Sequence, residues 1–418
     1  MKTPARFQTI IELLDANLNS NMPVDNALKS FFKANRFIGS KDRRFISEYI
    51  WEIIRNKLKA EFVSKDKSAR NILISYLAYF KYFTIDDLNE IFDGEKYSPE
   101  KLSADEVDHI NHLSETDIDL PDYVEAETPK WLYEKAKSIY GKSTNKYLIE
   151  LNKPATADFR VNSKRIDRII DDLKLEGLDF IKTPLSPIGI RSENRININN
   201  CLSFKDGSIE VQDEASQIAS ILCDVKEGEE VIDYCAGACG KSLAISSINN
   251  NKIKLYAHDI NDRRLSKATD RIKRAGANIE LLYHKDFEKL NNKFDRFIID
   301  APCSGTGTWR RSPDAKFRLT QEELDRITSI QKEVLDIAHQ NTKSDGYIVY
   351  ITCSILREEN EAQIEAFMNR YDDIKQVDVK DVWGKKISLK YPSNDKYLRL
   401  SPYENNTDGF FISIFKKV

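Results

Sequence analysis

Six short apolar runs, most of them separated by enough chain for a helix, constrain the second half of the sequence more than any other feature. They are Glu230 to Tyr234, Lys254 to His258, Ile279 to Tyr283, Phe297 to Ile299, Tyr347 to Ile351 and Phe410 to Phe415. The runs are rich in β-branched and aromatic residues and are followed by polar or turn residues, the pattern of a strand buried on both faces of a parallel sheet. Helical patterns begin near Lys241, Asp262 and Gln321, and alternation of this kind builds a doubly wound α/β sheet. Ligands of such sheets sit beyond the carboxyl ends of the strands. The residues that close each run are therefore where chemistry is expected.

The first run leads into Asp233-Tyr234-Cys235-Ala236-Gly237-Ala238-Cys239-Gly240-Lys241-Ser242. Small residues at a strand-to-helix turn let the backbone approach a ligand at a helix N-terminus, which suits a nucleotide or S-adenosylmethionine. Asp259 follows the second run, 19 residues beyond Gly240, where an acid can bond ribose hydroxyls. The dinucleotide fingerprint Gly-x-Gly-x-x-Gly is absent, since only Gly237 and Gly240 fall in the loop. Asp286 follows the third run and Asp300 the fourth. Acids after successive strands suit a methyl donor whose ribose, adenine amino group and sulfonium end all favour acceptors.

Two cysteines fall at the ends of strands expected to be neighbours: Cys303 in Asp300-Ala301-Pro302-Cys303-Ser304, and Cys353 in Thr352-Cys353-Ser354. One buried thiol at a strand end is ordinary packing. Two thiols at the mouth of one pocket suggest nucleophilic chemistry. The loop after Cys303 carries Trp309, Arg310 and Arg311, and an aromatic surface with arginines is what an unstacked base and its phosphates need. Cys235 and Cys239 are four apart, but no second pair at metal spacing accompanies them and the five histidines are scattered, so no metal is expected. Cys201 and Cys223 are expected to be packing thiols. Without a disulfide framework, an apolar signal core or a long apolar stretch, the expectation is a cytoplasmic chain with reduced thiols and no membrane contact. A net charge of -3 supplies no overall positive field, so any nucleic-acid surface has to be local.

Residues 1–140 show helical periodicity, as in Phe45, Ile46, Tyr49, Ile50, Ile53 and Ile54, and are expected to form an all-helical domain. One helix should run from Gly39 to about Leu58, with Arg43, Arg44, Arg55, Lys57 and Lys59 as a basic cluster. The acidic stretch from Asp93 to Pro121 suggests a connecting segment, and a linking helix begins near Pro129. From Leu151 the period changes. Phe159 to Asn162 and Ile188 to Arg191 look like strands around a helix from Ile166 to Leu173, which gives a small α+β module over 145–210 before a catalytic domain over 211–418.

Several of these segments resemble the Sun/Fmu family of RNA cytosine-C5 methyltransferases, in the RsmB-like branch that acts on bacterial small-subunit ribosomal RNA. They are Val211-Gln212-Asp213-Glu214-Ala215-Ser216-Gln217, Asp300 to Pro313, Tyr350 to Ser354 followed by Glu358-Glu359-Asn360, Leu398 to Pro402, and Thr407-Asp408-Gly409-Phe410-Phe411. The start Gly39-Ser40-Lys41-Asp42-Arg43-Arg44 likewise resembles the NusB-like RNA-binding domain. The resemblance implies a Rossmann-like S-adenosylmethionine-dependent methyltransferase domain, preceded by a small α+β RNA-binding module and an all-helical NusB-like domain. It implies that Cys353 is the nucleophile that adds to C6 of cytosine and that Cys303 promotes the later elimination. Asp300 would lie by the methyl donor and the target base, and Cys235, Ala236, Gly237, Ala238, Cys239, Gly240, Lys241, Asp259 and Asp286 would hold the donor. The implied partner is ribosomal RNA, bound by a monomer.

The chain departs from the family's usual donor loop, Cys-Ala-Ala-Pro-Gly-Gly-Lys-Thr, by placing Ala238 at its proline and Cys239 at a glycine. Asn405-Asn406 stands where a histidine often precedes Thr-Asp-Gly-Phe-Phe. The alternatives are a non-catalytic RNA-binding assembly factor and a transfer-RNA cytosine-C5 methyltransferase. A DNA cytosine methyltransferase fits less well, because its Pro-Cys nucleophile is paired with a Glu-Asn-Val triplet that is not found here.

Overall fold

A computed structural model of the chain describes residues 1–18, 20–162, 165–193, 196, 198–288 and 293–418. Two compact units emerge, one comprising Met1–Asn152 with Ser312–Leu319 and the other Lys153–Arg311 with Thr320–Val418.

The first unit is helical. Thr3–Leu18, Val24–Ala34, Ser40–Arg55 and Ala69–Ser75 surround a core that includes Phe7, Ile10, Leu28, Ile46, Ile50, Ile53, Leu73 and Leu77. The helix expected from Gly39 to Leu58 is interrupted at Asn56, and a second one, Lys57–Val63, begins there. Its first turn is capped from outside, since Glu127 accepts from the backbone N–H groups of Leu58 and Lys59, each at 2.9 Å, which suits a carboxylate at a helix N-terminus. The acidic stretch after Asp93 is more than a connector. It contains the helix Ala104–Glu115, opened by a capping box in which Ser103 and Glu106 satisfy each other's backbone N–H groups. Ser312–Leu319 packs into this unit: Asp314 accepts from the Val24 backbone N–H at 3.1 Å, and the buried Lys316 donates to Asn152 Oδ1 at 2.8 Å.

The second unit opens with a four-stranded antiparallel sheet of β1 (Ala157–Val161), β2 (Ile181–Lys182), β3 (Gly189–Ser192) and β4 (Ile209–Val211), in the order β2-β3-β1-β4. The helix Ile166–Leu175 covers it with Ile169 and Leu173 on Phe159, Ile190 and Ile209. A buried ion-pair network, Arg191 to Asp158 at 2.7 Å and to Glu214 at 3.1 Å, ties this sheet to the helix Glu214–Leu222.

The main sheet holds β5 (Glu230–Asp233), β6 (Lys254–His258), β7 (Ile279–Leu282), β8 (Phe294–Asp300), β9 (Thr342–Thr352), β10 (Ile374–Val377), β11 (Leu398–Leu400) and β12 (Phe410–Lys417). The order β10-β12-β9-β8-β5-β6-β7 is parallel from β9 to β7, while β12 runs antiparallel to β9, β10 and β11. The sheet is therefore mixed rather than wholly parallel, and the strand order reverses between the parallel neighbours β5 and β8. At that switch the carboxyl ends part and leave a crevice. The strands β2, β4, β10 and β11 do not stand out in the sequence because they are two to four residues long and contain no run of adjacent apolar residues.

Candidate active site at the carboxyl ends of the strands

Register sets the two cysteines side by side. Asp300 of β8 pairs with Ile351 of β9, so Cys303 and Cys353 leave the sheet within one residue of the same level. Their sulfurs stand 3.2 Å apart, both half-buried. The hydrogen bond to Cys353 and then burial push the Cys303 thiol well above its ordinary value. A thiol held high carries little thiolate at neutral pH, yet once ionised it is a strong base.

Beside them Lys241 Nζ donates to Asp300 Oδ2 at 2.6 Å and lies over the Phe410 ring, 5.2 Å from its centroid. Burial opposes the ammonium form, but Asp300 outweighs it and holds the lysine above its usual range. The pair leaves one charged end accessible, since the lysine is 7% exposed and the aspartate 34%.

The donor loop follows β5. Gly237 (φ 55°) and Cys239 (φ 59°) both adopt the left-handed conformation, and the helix Gly240–Ile248 starts directly after them. For a residue with a Cβ this conformation costs about 1 to 2 kcal/mol, so the cysteine in the family's glycine position is strained but accommodated. Its thiol is buried among Ala236, Leu243, Ala257, Leu265 and Ala268, and burial raises it to about 12. Arg271 fastens the neighbouring Ala238 carbonyl at 2.6 Å. Beneath the loop, burial pushes Asp233 up to about 7, and Ser242 Oγ donates to it at 2.6 Å.

Asp259 is buried and ties two loops, accepting from Gly237 N–H at 2.9 Å and Asn261 N–H at 2.8 Å. A carboxylate oxygen has a second lone pair, so these bonds leave acceptor capacity for a ribose hydroxyl. Asp286 is exposed on the short helix His284–Phe287 after β7. Cys235 packs beside Tyr234, whose ring stacks on His258 at 4.3 Å. A side chain at Gly240 would meet nothing within 4 Å, so the helix start faces open space. With small residues before it and acids around it, this loop fits a nucleoside-type methyl donor.

Two expectations fail. Trp309 is buried at 2% exposure and Arg310 at 5%, so neither presents a surface to a base or phosphate. Arg310 donates to the Thr407 carbonyl at 3.1 Å, and Arg311 pairs with Asp408 at 2.6 Å and Asp213 at 2.9 Å. These bonds brace the loop, although Arg311 remains 38% exposed. In the helical unit, Arg43 donates to the Ile38 carbonyl at 2.7 Å and Arg55 to the Asn152 carbonyl. Exposed cations around that helix start include Arg36, Lys41 and Arg44.

Nothing in the sequence distinguishes Glu359 from its neighbours. It is buried and accepts from Ser304 N–H at 2.8 Å, Gln331 Nε2 at 3.0 Å, and both the Ser304 and Ser354 hydroxyls. Only burial separates it from the adjoining Glu358, and burial is invisible in a Glu-Glu-Asn run. Among the described residues, no cluster of three or more His, Cys, Asp or Glu side chains is arranged to hold a metal ion, and no helix is long and apolar enough to cross a membrane.

Comparison with known proteins matches residues 220–416 to a family described as 16S rRNA methyltransferase RsmB/F, and residues 128–199 to the ferredoxin-like domain of RsmF/B-like methyltransferases. The ribosomal RNA small subunit methyltransferase B of Photorhabdus laumondii is 31% identical over 69% of this chain and 66% of its own length. The probable ribosomal RNA small subunit methyltransferase B of Bacillus subtilis is 26% identical over 98% of this chain and 97% of its own. Among solved structures, NSun6 from Pyrococcus horikoshii with SFG, an S-adenosylmethionine analogue, superposes with a TM-score of 0.61 at 22% identity, over 71% of this chain and all of that one. That similarity is one of fold.

Proposed function

Because the chain belongs to the RsmB/F family of 16S rRNA methyltransferases, we propose that it methylates C5 of a cytosine in small-subunit ribosomal RNA through a transient bond between a cysteine sulfur and C6. Family membership makes the protein an RNA methyltransferase that uses S-adenosylmethionine. The atom modified, the RNA and the residue roles are the proposal.

The observation that carries it is the pair of sulfurs 3.2 Å apart at the ends of adjacent strands. Cytosine C5 is a weak nucleophile until a group adds at C6. The Cys353 thiolate adds there, which makes C5 enamine-like. The donor's sulfonium supplies an electrophilic methyl group, held by the loop Cys235 to Lys241 with Asp259, Asp286 and Asp300. Once C5 is methylated, Cys303 in its thiolate form takes the C5 proton, and the C6–S bond breaks to return the Cys353 thiolate. The Lys241–Asp300 pair faces this exchange with one accessible carboxylate oxygen, suited to the amino edge of the base. A base has to be unstacked to reach such a site.

The NusB-like start of the helix at Ser40, with Arg36, Lys41 and Arg44 exposed around it, supports an RNA-binding role for the helical unit. The same reading places the protein in the cytoplasm as a monomer.

Small-subunit ribosomal RNA carrying tritium at cytosine C5 tests the reaction, with transfer RNA as the comparison. The expected outcome is one tritium released to water for each methyl group transferred, on the ribosomal RNA. Methyl transfer without tritium release would place the methyl elsewhere, and release on transfer RNA alone would assign the other substrate.

A further inference from the structure

The residue after each cysteine is a serine, and both serines meet the same buried carboxylate. Ser304 and Ser354 donate their hydroxyls to Glu359 Oε2, while Ser304 N–H donates to Oε1 at 2.8 Å and Gln331 Nε2 to the same oxygen at 3.0 Å. Gln331 also holds the Pro302 carbonyl at 2.9 Å, directly before Cys303. From these contacts we propose that Glu359 is a positioning residue, which fixes the spacing of the two reactive sulfurs by binding the loop that follows each of them. The inference rests on the proposed roles of the cysteines, although the spacing can be measured without them.

The two loops depend on Glu359 unequally. Beyond it, the Cys353 loop is secured by Asn360, which donates to the Ser354 carbonyl at 2.8 Å and accepts from Thr352 Oγ1 at 2.6 Å. Thr306 Oγ1 meets Ser354 Oγ at 3.0 Å, and Gly307 N–H meets the Cys353 carbonyl at 2.9 Å. At Ser304, by contrast, two bonds go to Glu359, and the remaining contacts are long ones from its hydroxyl to Thr306 at 3.3 Å and Ser354 at 3.5 Å. Loss of the carboxylate therefore frees the Cys303 side more than the Cys353 side. Addition by Cys353 survives that loss better than proton removal by Cys303. Burial raises Glu359, and a glutamine keeps the geometry: its oxygen can accept the two N–H groups while its amide donates to serine hydroxyls free to turn.

The full-length Glu359→Ala protein tests this in two ways. Without RNA, diamide takes two electrons and two protons from the sulfurs to form a disulfide and is itself reduced to the hydrazine. The rate of that step reports the sulfur spacing and should fall about 10-fold in Glu359→Ala but stay within about 2-fold of the parent in Glu359→Gln. With RNA and S-adenosylmethionine, Glu359→Ala should turn over about 10-fold more slowly and accumulate a methylated covalent adduct even though both cysteines are present, with donor affinity unchanged. If Glu359→Ala fails to fold, Ser304→Ala carries the same readouts at about 3-fold. An unchanged disulfide rate in a folded Glu359→Ala protein would overturn the positioning role whatever the reaction proves to be. A slowed rate without adduct would confine the role to spacing and contradict the unequal dependence of the two loops.

Discussion

At the scale of single residues, the site was partly legible from sequence. Cys303 and Cys353 could be placed at one pocket because each closes an apolar run, and the sulfurs stand 3.2 Å apart. What the sequence could not show is which polar groups face inward. Arg310 has the chemistry of a phosphate ligand but is buried on the Thr407 carbonyl, whereas Arg311 is paired with Asp408 and Asp213 while still 38% exposed. Glu359 has the chemistry of a surface acid, yet it sits buried on two serines. Asp259, expected from the sequence as a ribose acid, also holds the donor loop through Gly237 N–H. Asp259→Ala removes a charge-assisted bond of about 2 kcal/mol, and S-adenosylmethionine affinity measured by calorimetry should fall about 30-fold. Unchanged affinity would remove Asp259 from the donor site.

At the scale of elements, the central strands of the main sheet were legible because a parallel strand buried on both faces is continuously apolar. The antiparallel course of β12 was not, since a strand's direction depends on how its connection folds back. Two glycines in separate motifs likewise gained a reason only once the elements had met. Gly409 N–H donates to the Gly307 carbonyl at 2.8 Å, and a Cβ on Gly307 would lie 2.1 Å from the Gly409 oxygen. The loop after Cys303 and the turn before β12 are thus packed backbone on backbone, with no flexible side chain able to yield. Gly307→Ala should destabilise the second unit by about 3 kcal/mol or more, read as a fall of roughly 10 °C in its thermal midpoint. A midpoint unchanged within a degree would mean that the backbones do not need this approach.

At the scale of the whole molecule, a net charge of -3 leaves no general attraction for RNA, so binding has to come from local charge. Not all of the basic cluster in the first unit is exposed. Arg43 and Arg55 fasten backbone carbonyls, and exposed cations around the helix start at Ser40 include Arg36, Lys41 and Arg44. Replacing these three with alanine should weaken RNA binding and reduce the slope of log affinity against log salt by about 2, with donor binding and thermal midpoint unaltered. An identical salt slope in the triple variant would count against RNA contact by that surface.

The central claim is the division of labour between the two sulfurs, and denaturing electrophoresis of each cysteine variant with RNA and S-adenosylmethionine tests it most directly. Cys303→Ala keeps the thiol that adds to C6 but lacks the one that promotes elimination, so it should trap a methylated protein–RNA adduct that survives denaturation and depends on the methyl donor. Cys353→Ala should neither methylate nor form an adduct. An adduct in Cys353→Ala and none in Cys303→Ala would contradict the account by exchanging the two roles.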